Sequence, residues 1–227
     1  MSKTDETRSA LIAGASGLTG NYVMRALLRD DTYQKVTALV RRKIDYQHKQ
    51  LQQEVVDFKH LSEMTHLFEV DDVFCCLGTT IKQAGSKEKF IKVDYTYPVE
   101  MARLAIDNDV KRFIVMSSIG ANSDSTNFYL NTKGILEDSL KMFQFPNLII
   151  VRPSILMGQR QSNRPLESVM TFFMRSISPI LIGRLKRYRP ILAKHVAWSM
   201  VYLAKTVSER ETICESNELQ RLYDDHH

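Results

Sequence analysis

The stretch that decides the fold is Ala10–Gly20, which reads ALIAGASGLTG. Its first four apolar residues predict a buried strand, and the amphipathic stretch Asn21–Arg29 that follows predicts a helix. In a strand–turn–helix unit of this kind, Gly14 allows the tight turn, Gly17 lets the backbone approach a diphosphate, and Gly20 lets the helix pack closely on the strand. The start of the helix also offers free N–H groups to phosphates. The stretch therefore predicts a dinucleotide-binding turn.

Beyond this turn, short apolar runs continue to alternate with longer amphipathic stretches. Further strands are predicted at Val36–Val40, Glu54–Phe58, Asp72–Leu77, Phe113–Met116 and Leu148–Val151. Helices are predicted at Leu61–Phe68, Lys87–Asn108 with a break allowed at Pro98, Tyr129–Phe143 and His195–Lys205. Apolar strands that alternate with helices indicate βαβ units, and these predict a doubly wound parallel α/β sheet.

The pattern changes after Leu156. Residues 157–194 are irregular and contain three prolines, Pro165, Pro179 and Pro190. In a doubly wound sheet this segment would lie beyond the carboxyl end of the sixth strand, where substrates bind. We therefore expect one domain over residues 1–227, with residues 157–194 as a small substrate-side lid.

Composition narrows the class of protein. The chain has 227 residues, 44% hydrophobic and 25% charged, which excludes a disordered, collagen-like or coiled-coil chain. A net charge of +5 is too small to argue for nucleic-acid binding. The three cysteines do not form a disulfide framework, the polar N-terminus lacks a secretory pattern, and no apolar run reaches the roughly 20 residues of a membrane span. We expect a cytoplasmic protein.

The basic end of the second strand bears on the choice of cofactor. A site for NAD places Asp or Glu about 20 residues after the glycines, where it binds the ribose 2′-hydroxyl. Here that region contains Arg41 and Arg42, which suit a 2′-phosphate and favour NADP(H), although Asp45 is close and a solvated basic turn is the alternative. Asp57 suits either an adenine contact or a helix N-cap.

A Ser–Tyr–Lys constellation follows the fifth strand. Ser117 and Ser118 come directly after that strand, and Tyr129 and Lys133 lie four residues apart in the next predicted helix. This spacing puts both side chains on one helix face, where a cation favours the phenolate form of a neighbouring tyrosine. The pattern predicts Tyr129 as a general acid, with a serine holding the substrate oxygen.

Several motifs together resemble a known family. They are GASGLTG at 14–20, QEVVDF at 53–58, DDVFCCLGTT at 71–80, SSIGA at 117–121 and YLNTK at 129–133. The chain resembles atypical short-chain dehydrogenase/reductases of the Tat-interacting oxidoreductase-like branch, which has NmrA-like relatives. The resemblance spans about residues 10 to 165, and it implies a Rossmann fold that binds NADP(H).

The resemblance also implies roles for individual residues. They are phosphate contacts at Ser16, Gly17, Leu18 and Thr19, 2′-phosphate contacts at Arg41 and Arg42, a nicotinamide-side ribose wall at Leu77 and Gly78, nicotinamide contacts at Tyr129 and Lys133, and a lid contact at Arg164. Two departures stand out. The usual Asn of the long helix is replaced by Val93-Asp94, and the usual NNAG after the fourth strand is replaced by CLGTT.

Other features favour no further chemistry. The adjacent Cys75 and Cys76 should point to opposite faces of a strand as core residues, and the six histidines lack metal-binding spacing, so no metal is predicted. The basic cluster at residues 184–194 is either a solvated face or a surface for an anionic lipid, an acidic partner protein or an acidic substrate.

Two functions remain open at this point. One is an NADPH-dependent reductase of a small carbonyl-like or quinone-like molecule, and the other is an NADP(H)-binding regulator that controls a partner protein. Either would be a monomer or a weak homodimer. The intact Tyr129–Lys133 pair favours the enzyme.

Overall fold

The chain folds around a seven-stranded parallel sheet in the computed structural model, which describes residues 7–158 and 183–227. The strands run in the order β3-β2-β1-β4-β5-β6-β9, and each adjacent pair is parallel. Their bounds are β1 Arg8–Ala13, β2 Tyr33–Val40, β3 Leu51–Val55, β4 Asp72–Cys75, β5 Arg112–Met116, β6 Asn147–Arg152 and β9 Glu211–Glu215. The strands β7 Leu156–Met157 and β8 Ile191–Leu192 form a separate two-stranded sheet. The predicted doubly wound α/β fold is confirmed.

Helices cover both faces of the large sheet. Those on one face are α1 Leu18–Leu27, α6 Ala193–Thr206 and α7 Ser216–Asp225. Those on the other are α4 Tyr97–Asp107, α5 Phe128–Met142 and two 3₁₀ helices, Phe58–Glu63 and Thr65–Phe68. The remaining elements are α2 Ile81–Ala84, α3 Lys87–Ile91, a π turn at Lys92–Thr96 and a 3₁₀ helix at Gly183–Tyr188. Each face has its own apolar core, as expected for a sheet buried on both sides.

The long helix predicted at Lys87–Asn108 is continuous but not regular. α3, the π turn and α4 follow one another without a non-helical residue. Pro98 does not break the helix: it follows the π turn directly, at the start of α4, and the helical run continues through it. The irregularity lies instead at the π turn, which contains the buried residue Asp94.

Three predictions of secondary structure were wrong in detail. The third strand ends at Val55 rather than Phe58, because Asp57 caps a 3₁₀ helix by accepting the N–H of Lys59. The predicted helix Leu61–Phe68 is replaced by the two 3₁₀ helices. The strand β9 and the helix α7, which begins with a capping box between Glu215 and Glu218, were missed.

Within the described residues, each helix is too short or too polar to cross a membrane.

Candidate active site

A large cleft lies at the carboxyl ends of the central strands. Its volume is about 1740 Å³. The lining includes eight of the residues expected to bind a cofactor: Gly14, Ser16, Gly17, Leu18, Arg41, Asp57, Leu77 and Gly78. Ligands bind at this edge of doubly wound sheets, next to the point where the strand order reverses between β1 and β4.

The glycine turn that lines part of the cleft has no room for a side chain at Gly14 or Gly20. Gly14 has φ +88°, and a Cβ there would stand 2.4 Å from the carbonyl oxygen of Cys76. A Cβ on Gly20 would stand 2.1 Å from the carbonyl oxygen of Gly14. Gly17 opens α1 with no side-chain cap, so the first N–H groups of the helix are left for a ligand. Thr19, in the same turn, is buried and its hydroxyl has no hydrogen-bond partner. This geometry fits a diphosphate.

We expect Gly20→Ala to lower both the affinity for a dinucleotide and the unfolding temperature. The added methyl group can be accommodated only by moving the backbone of the turn, and we expect a loss of at least about tenfold in affinity for this displacement. Calorimetric titration and thermal melting measure the two effects. Gly85→Ala is the control for the affinity, because Gly85 is not among the described residues that line the cleft and has nothing within 4 Å of the new Cβ; its φ of +82° strains an alanine, so this variant should lower the unfolding temperature without lowering the affinity. Unchanged affinity in Gly20→Ala would contradict this account.

The adenosine end of the cleft is basic. Arg41 follows β2, is exposed and lines the cleft, whereas Arg42 is exposed and does not line it. The loop after Arg42 is fixed by Gln53, whose side chain bonds the backbone of Ile44 and Tyr46. Sequence reasoning missed this role of Gln53. Asp57 both lines the cleft and caps the 3₁₀ helix, so its adenine contact stays a prediction.

Tyr129 and Lys133 lie together on α5, and neither is among the described residues that line the cleft. The Lys133 side chain is 3% exposed, and its Nζ lies 2.8 Å from Oδ1 of Asp94. The other carboxylate oxygen of Asp94 accepts the N–H of Thr79 at 2.8 Å. Tyr129 is half-buried and its ring packs against Phe90, with centroids 5.9 Å apart.

The charge on Lys133 is controlled by its neighbours. Burial acts to lower the pKa of Lys133, but Asp94 and Tyr129 more than offset burial, and the pKa lies above the usual value for lysine. Lys133 is therefore an ammonium at neutral pH. Sequence analysis identified Lys133 but not its pairing with Asp94.

The two candidate serines have different partners. The hydroxyl of Ser117 donates to Oε1 of Glu137 at 2.5 Å, and Glu137 is held in turn by the guanidinium of Arg152. Ser118 is half-buried, and among the described residues its hydroxyl has one contact, a long one of 3.4 Å to the carbonyl oxygen of Ile119. Of the two, Ser118 is the one whose hydroxyl can turn to a ligand.

Some predicted site residues stand away from the cleft or beyond the described chain. Within the described lining, Thr19, Gly20, Arg42, Ser117, Ser118, Tyr129 and Lys133 do not contribute. Arg164 and most of the predicted lid fall on residues 159–182, outside the described residues. The roles of Arg164 and of the lid stay predictions.

In the part of the chain that the structure describes, the cysteines and histidines form no group that could bind a metal ion. Cys75 and Cys76 lie in the cores on opposite faces of the sheet, as predicted, and burial raises the pKa of the Cys75 thiol to about 11. In residues 7–158 and 183–227, no cluster of three His, Cys, Asp or Glu side chains could hold a metal ion.

The basic cluster at 184–194 is partly engaged within the chain. Arg187 pairs with Glu215 at 3.5 Å and stacks on the ring of Tyr188. Lys194 lines the cleft.

Comparisons with known proteins agree with this geometry. Residues 14–180 match the sequence profile of a family described as NAD(P)H-binding. The chain belongs to this family. Protein HTATIP2 of Rattus norvegicus is 38% identical over 176 residues, which cover 76% of this chain and 72% of that protein. "Protein FMP52, mitochondrial" of Debaryomyces hansenii is 34% identical over 158 residues, which cover 69% of this chain and 70% of that protein.

Solved structures share the fold at low sequence identity. The Bordetella bronchiseptica enzyme WbmH in complex with NAD⁺ has a TM-score of 0.70 at 16% identity, over 96% of this chain and 79% of that one. UDP-N-acetylglucosamine 4-epimerase from Methanobrevibacter ruminantium M1 has a TM-score of 0.71 at 16% identity, over 96% and 81% of the two chains. The chain is thus an atypical short-chain dehydrogenase/reductase with an NAD(P)-binding, oxidoreductase-type Rossmann fold, and the family resemblance is confirmed.

Proposed function

We propose that this protein is an NADPH-dependent oxidoreductase that transfers hydride to a small carbonyl-like or quinone-like molecule. The observation that carries the proposal is the charged, buried Lys133, placed one helical turn from Tyr129 behind the wall of a cleft of dinucleotide size. A lysine is buried in this way only when a partner holds its charge.

The electrostatics of the cleft support NADPH over NADH. Among the described residues, eight Lys and Arg side chains line the cleft, against the single carboxylate of Asp57. Arg41 occupies the place where an NAD site carries an acid, and no ion pair within the described chain engages it. A guanidinium that is free in this way can bind a 2′-phosphate bidentately.

The residues of the site have different roles in the proposed reaction. When bound, NADPH supplies the hydride. Tyr129 donates a proton to the oxygen that gains negative charge, and Ser118 donates a hydrogen bond to the same oxygen. Lys133 binds the nicotinamide-side ribose and keeps a positive charge beside Tyr129. Ser117 takes no direct part, because its hydroxyl is bound to Glu137.

A turnover assay with both nucleotides tests the proposal. We expect NADPH, monitored at its nicotinamide absorbance, to be consumed with at least one member of a panel of aromatic aldehydes and ortho-quinones, and to bind more tightly than NADH. Equal calorimetric affinity for the two nucleotides would contradict the role of Arg41. Tight NADPH binding without consumption across the panel would assign the protein to the regulatory function instead.

We also propose a cytoplasmic location. The three cysteines are buried free thiols, which suits a reducing compartment. The fungal relatives carry "mitochondrial" in their names, so imaging of a fluorescent fusion beside a mitochondrial marker is the direct test. Co-localisation with that marker would overturn the proposal.

A further inference from the structure

Asp94 and Lys133 form an ion pair that is almost wholly removed from water. Their side chains are 1% and 3% exposed, and Lys133 Nζ lies 2.8 Å from Asp94 Oδ1. The pair stands directly behind the cleft wall. Thr79, which lines the cleft, donates its N–H to Asp94, and a Cβ on Gly78 would stand 3.6 Å from Asp94 Oδ1.

Asp94 lies in the π turn at Lys92–Thr96. A π turn interrupts the regular spacing of side chains along a helix, and such turns occur frequently at functional sites. Asp94 occupies the only buried position of this turn, and its two carboxylate oxygens engage two separate elements, α5 through Lys133 and the segment after β4 through Thr79.

Three ionisable groups face the Lys133 ammonium. They are Asp94 from the π turn, Tyr129 from α5 itself and Cys75 from β4. Because burial raises the pKa of Cys75 to about 11, this thiol is neutral near pH 7. Asp94 is the one carboxylate of the three, and it makes the direct contact.

We propose that Asp94 is a positioning residue that keeps Lys133 charged and fixed beside Tyr129, so that cofactor binding does not depend on pH across the neutral and mildly alkaline range. The inference rests on the proposed function only in requiring that a nicotinamide cofactor occupy the cleft. According to this proposal, Asp94 in the π turn controls the charge of Lys133 on α5.

The direction in which pH should affect the Asp94→Asn variant follows from the burial of Lys133. With Asp94 present, the pKa of Lys133 lies above its usual value, so the ammonium persists throughout neutral pH. Without the carboxylate, burial is largely unopposed, and full burial lowers the pKa of a lysine by up to about 3–5 units. The lysine of Asp94→Asn would then lose its proton at a pH well below that of the wild-type lysine, in the neutral to mildly alkaline range.

Calorimetric titration of the full chain with NADPH from pH 6 to pH 9.5 tests the inference. We expect the wild-type affinity to change less than about threefold, and that of Asp94→Asn to fall by about tenfold or more as the pH rises from 7 to 9. Lys133→Met should bind weakly at every pH. The double variant Asp94→Asn/Lys133→Arg should lose the pH dependence, because a guanidinium keeps its charge. Loss of affinity in Asp94→Asn that is equal at all pH values, or no loss at all, would overturn the proposal.

A second measurement needs no bound nucleotide. A lysine with a raised pKa stabilises the fold below its unfolded pKa and loses that contribution only as the pH rises through the folded pKa. The difference in unfolding free energy between wild type and the double variant Asp94→Asn/Lys133→Met, which removes both charges of the buried pair together, should therefore stay constant from pH 6 to pH 9.5. A difference that changes in this range would show that Asp94 does not hold the charge. If the wild type binds no NADPH, the proposed function fails and this measurement still decides the role of Asp94.

Discussion

The variant Tyr129→Phe is expected to reduce the rate of NADPH-dependent reduction by about 10²–10⁴-fold, the usual contribution of a general acid. NADPH affinity should stay within about threefold of wild type, because the phenyl ring still packs against Phe90 and Lys133 still pairs with Asp94. Single-turnover oxidation of NADPH gives the rate, and calorimetry gives the affinity.

The matched control is Tyr95→Phe. Tyr95 is half-buried like Tyr129, and its hydroxyl lies 3.2 Å from that of Ser139, but it stands on the π turn rather than one helical turn from Lys133. This variant also loses a tyrosine hydroxyl, here from the π turn, and its rate of NADPH-dependent reduction should be nearly unchanged. A Tyr129→Phe enzyme with full rate would show that Tyr129 is not the proton donor.

The variant Arg41→Asp should weaken NADPH binding by about 100-fold or more while changing NADH binding little. The substitution removes a bidentate cation, whose charge-assisted hydrogen bonds contribute about 1.5–3 kcal/mol each, and puts a repelling anion near the 2′-phosphate. Competition between the two nucleotides in a calorimetric cell measures the change in preference.

Lys43→Asp is the control for net charge. Lys43 follows Arg41 closely, is also exposed, and is not among the described residues that line the cleft. The same change of charge at this position should alter NADPH affinity only slightly and in a salt-dependent way. An equal loss in both variants would indicate a general field effect rather than a specific phosphate contact.

The centre of the sheet could be predicted from sequence, but its edges could not. β1, β4, β5 and β6 are buried on both faces, and their apolar runs are easily recognised. β3 and β9 lie at the two edges, where they are partly exposed and contain polar residues such as Gln52 and Glu211. The third strand was therefore placed three residues late, and the last one was not found.

The candidate site could likewise be predicted from the sequence only in part. The glycine turn and the Tyr129–Lys133 spacing are local patterns, which depend on one turn or one helix. The ion pair of Asp94 with Lys133 joins the π turn to α5. The hydrogen bond from Ser117 to Glu137 joins the end of β5 to α5. Contacts of this kind depend on the tertiary fold, and no spacing within the sequence signals them.

The contact between the glycine turn and β4 couples ligand binding to the folding of the entire domain. Gly14 fits against the backbone of Cys76, and β1 pairs directly with β4, with Ile12 opposite Phe74, although the chain travels through β2 and β3 between them. A fragment that ends before β4 lacks half of the cleft. Tight cofactor binding therefore requires that the strands β1 to β3 have paired with the strands from β4 onward. A nucleotide at 100 times its Kd would stabilise the native state by about 2.7 kcal/mol. The supply of cofactor in the cell would in this way set the stability of the folded chain as well as the occupancy of its cleft.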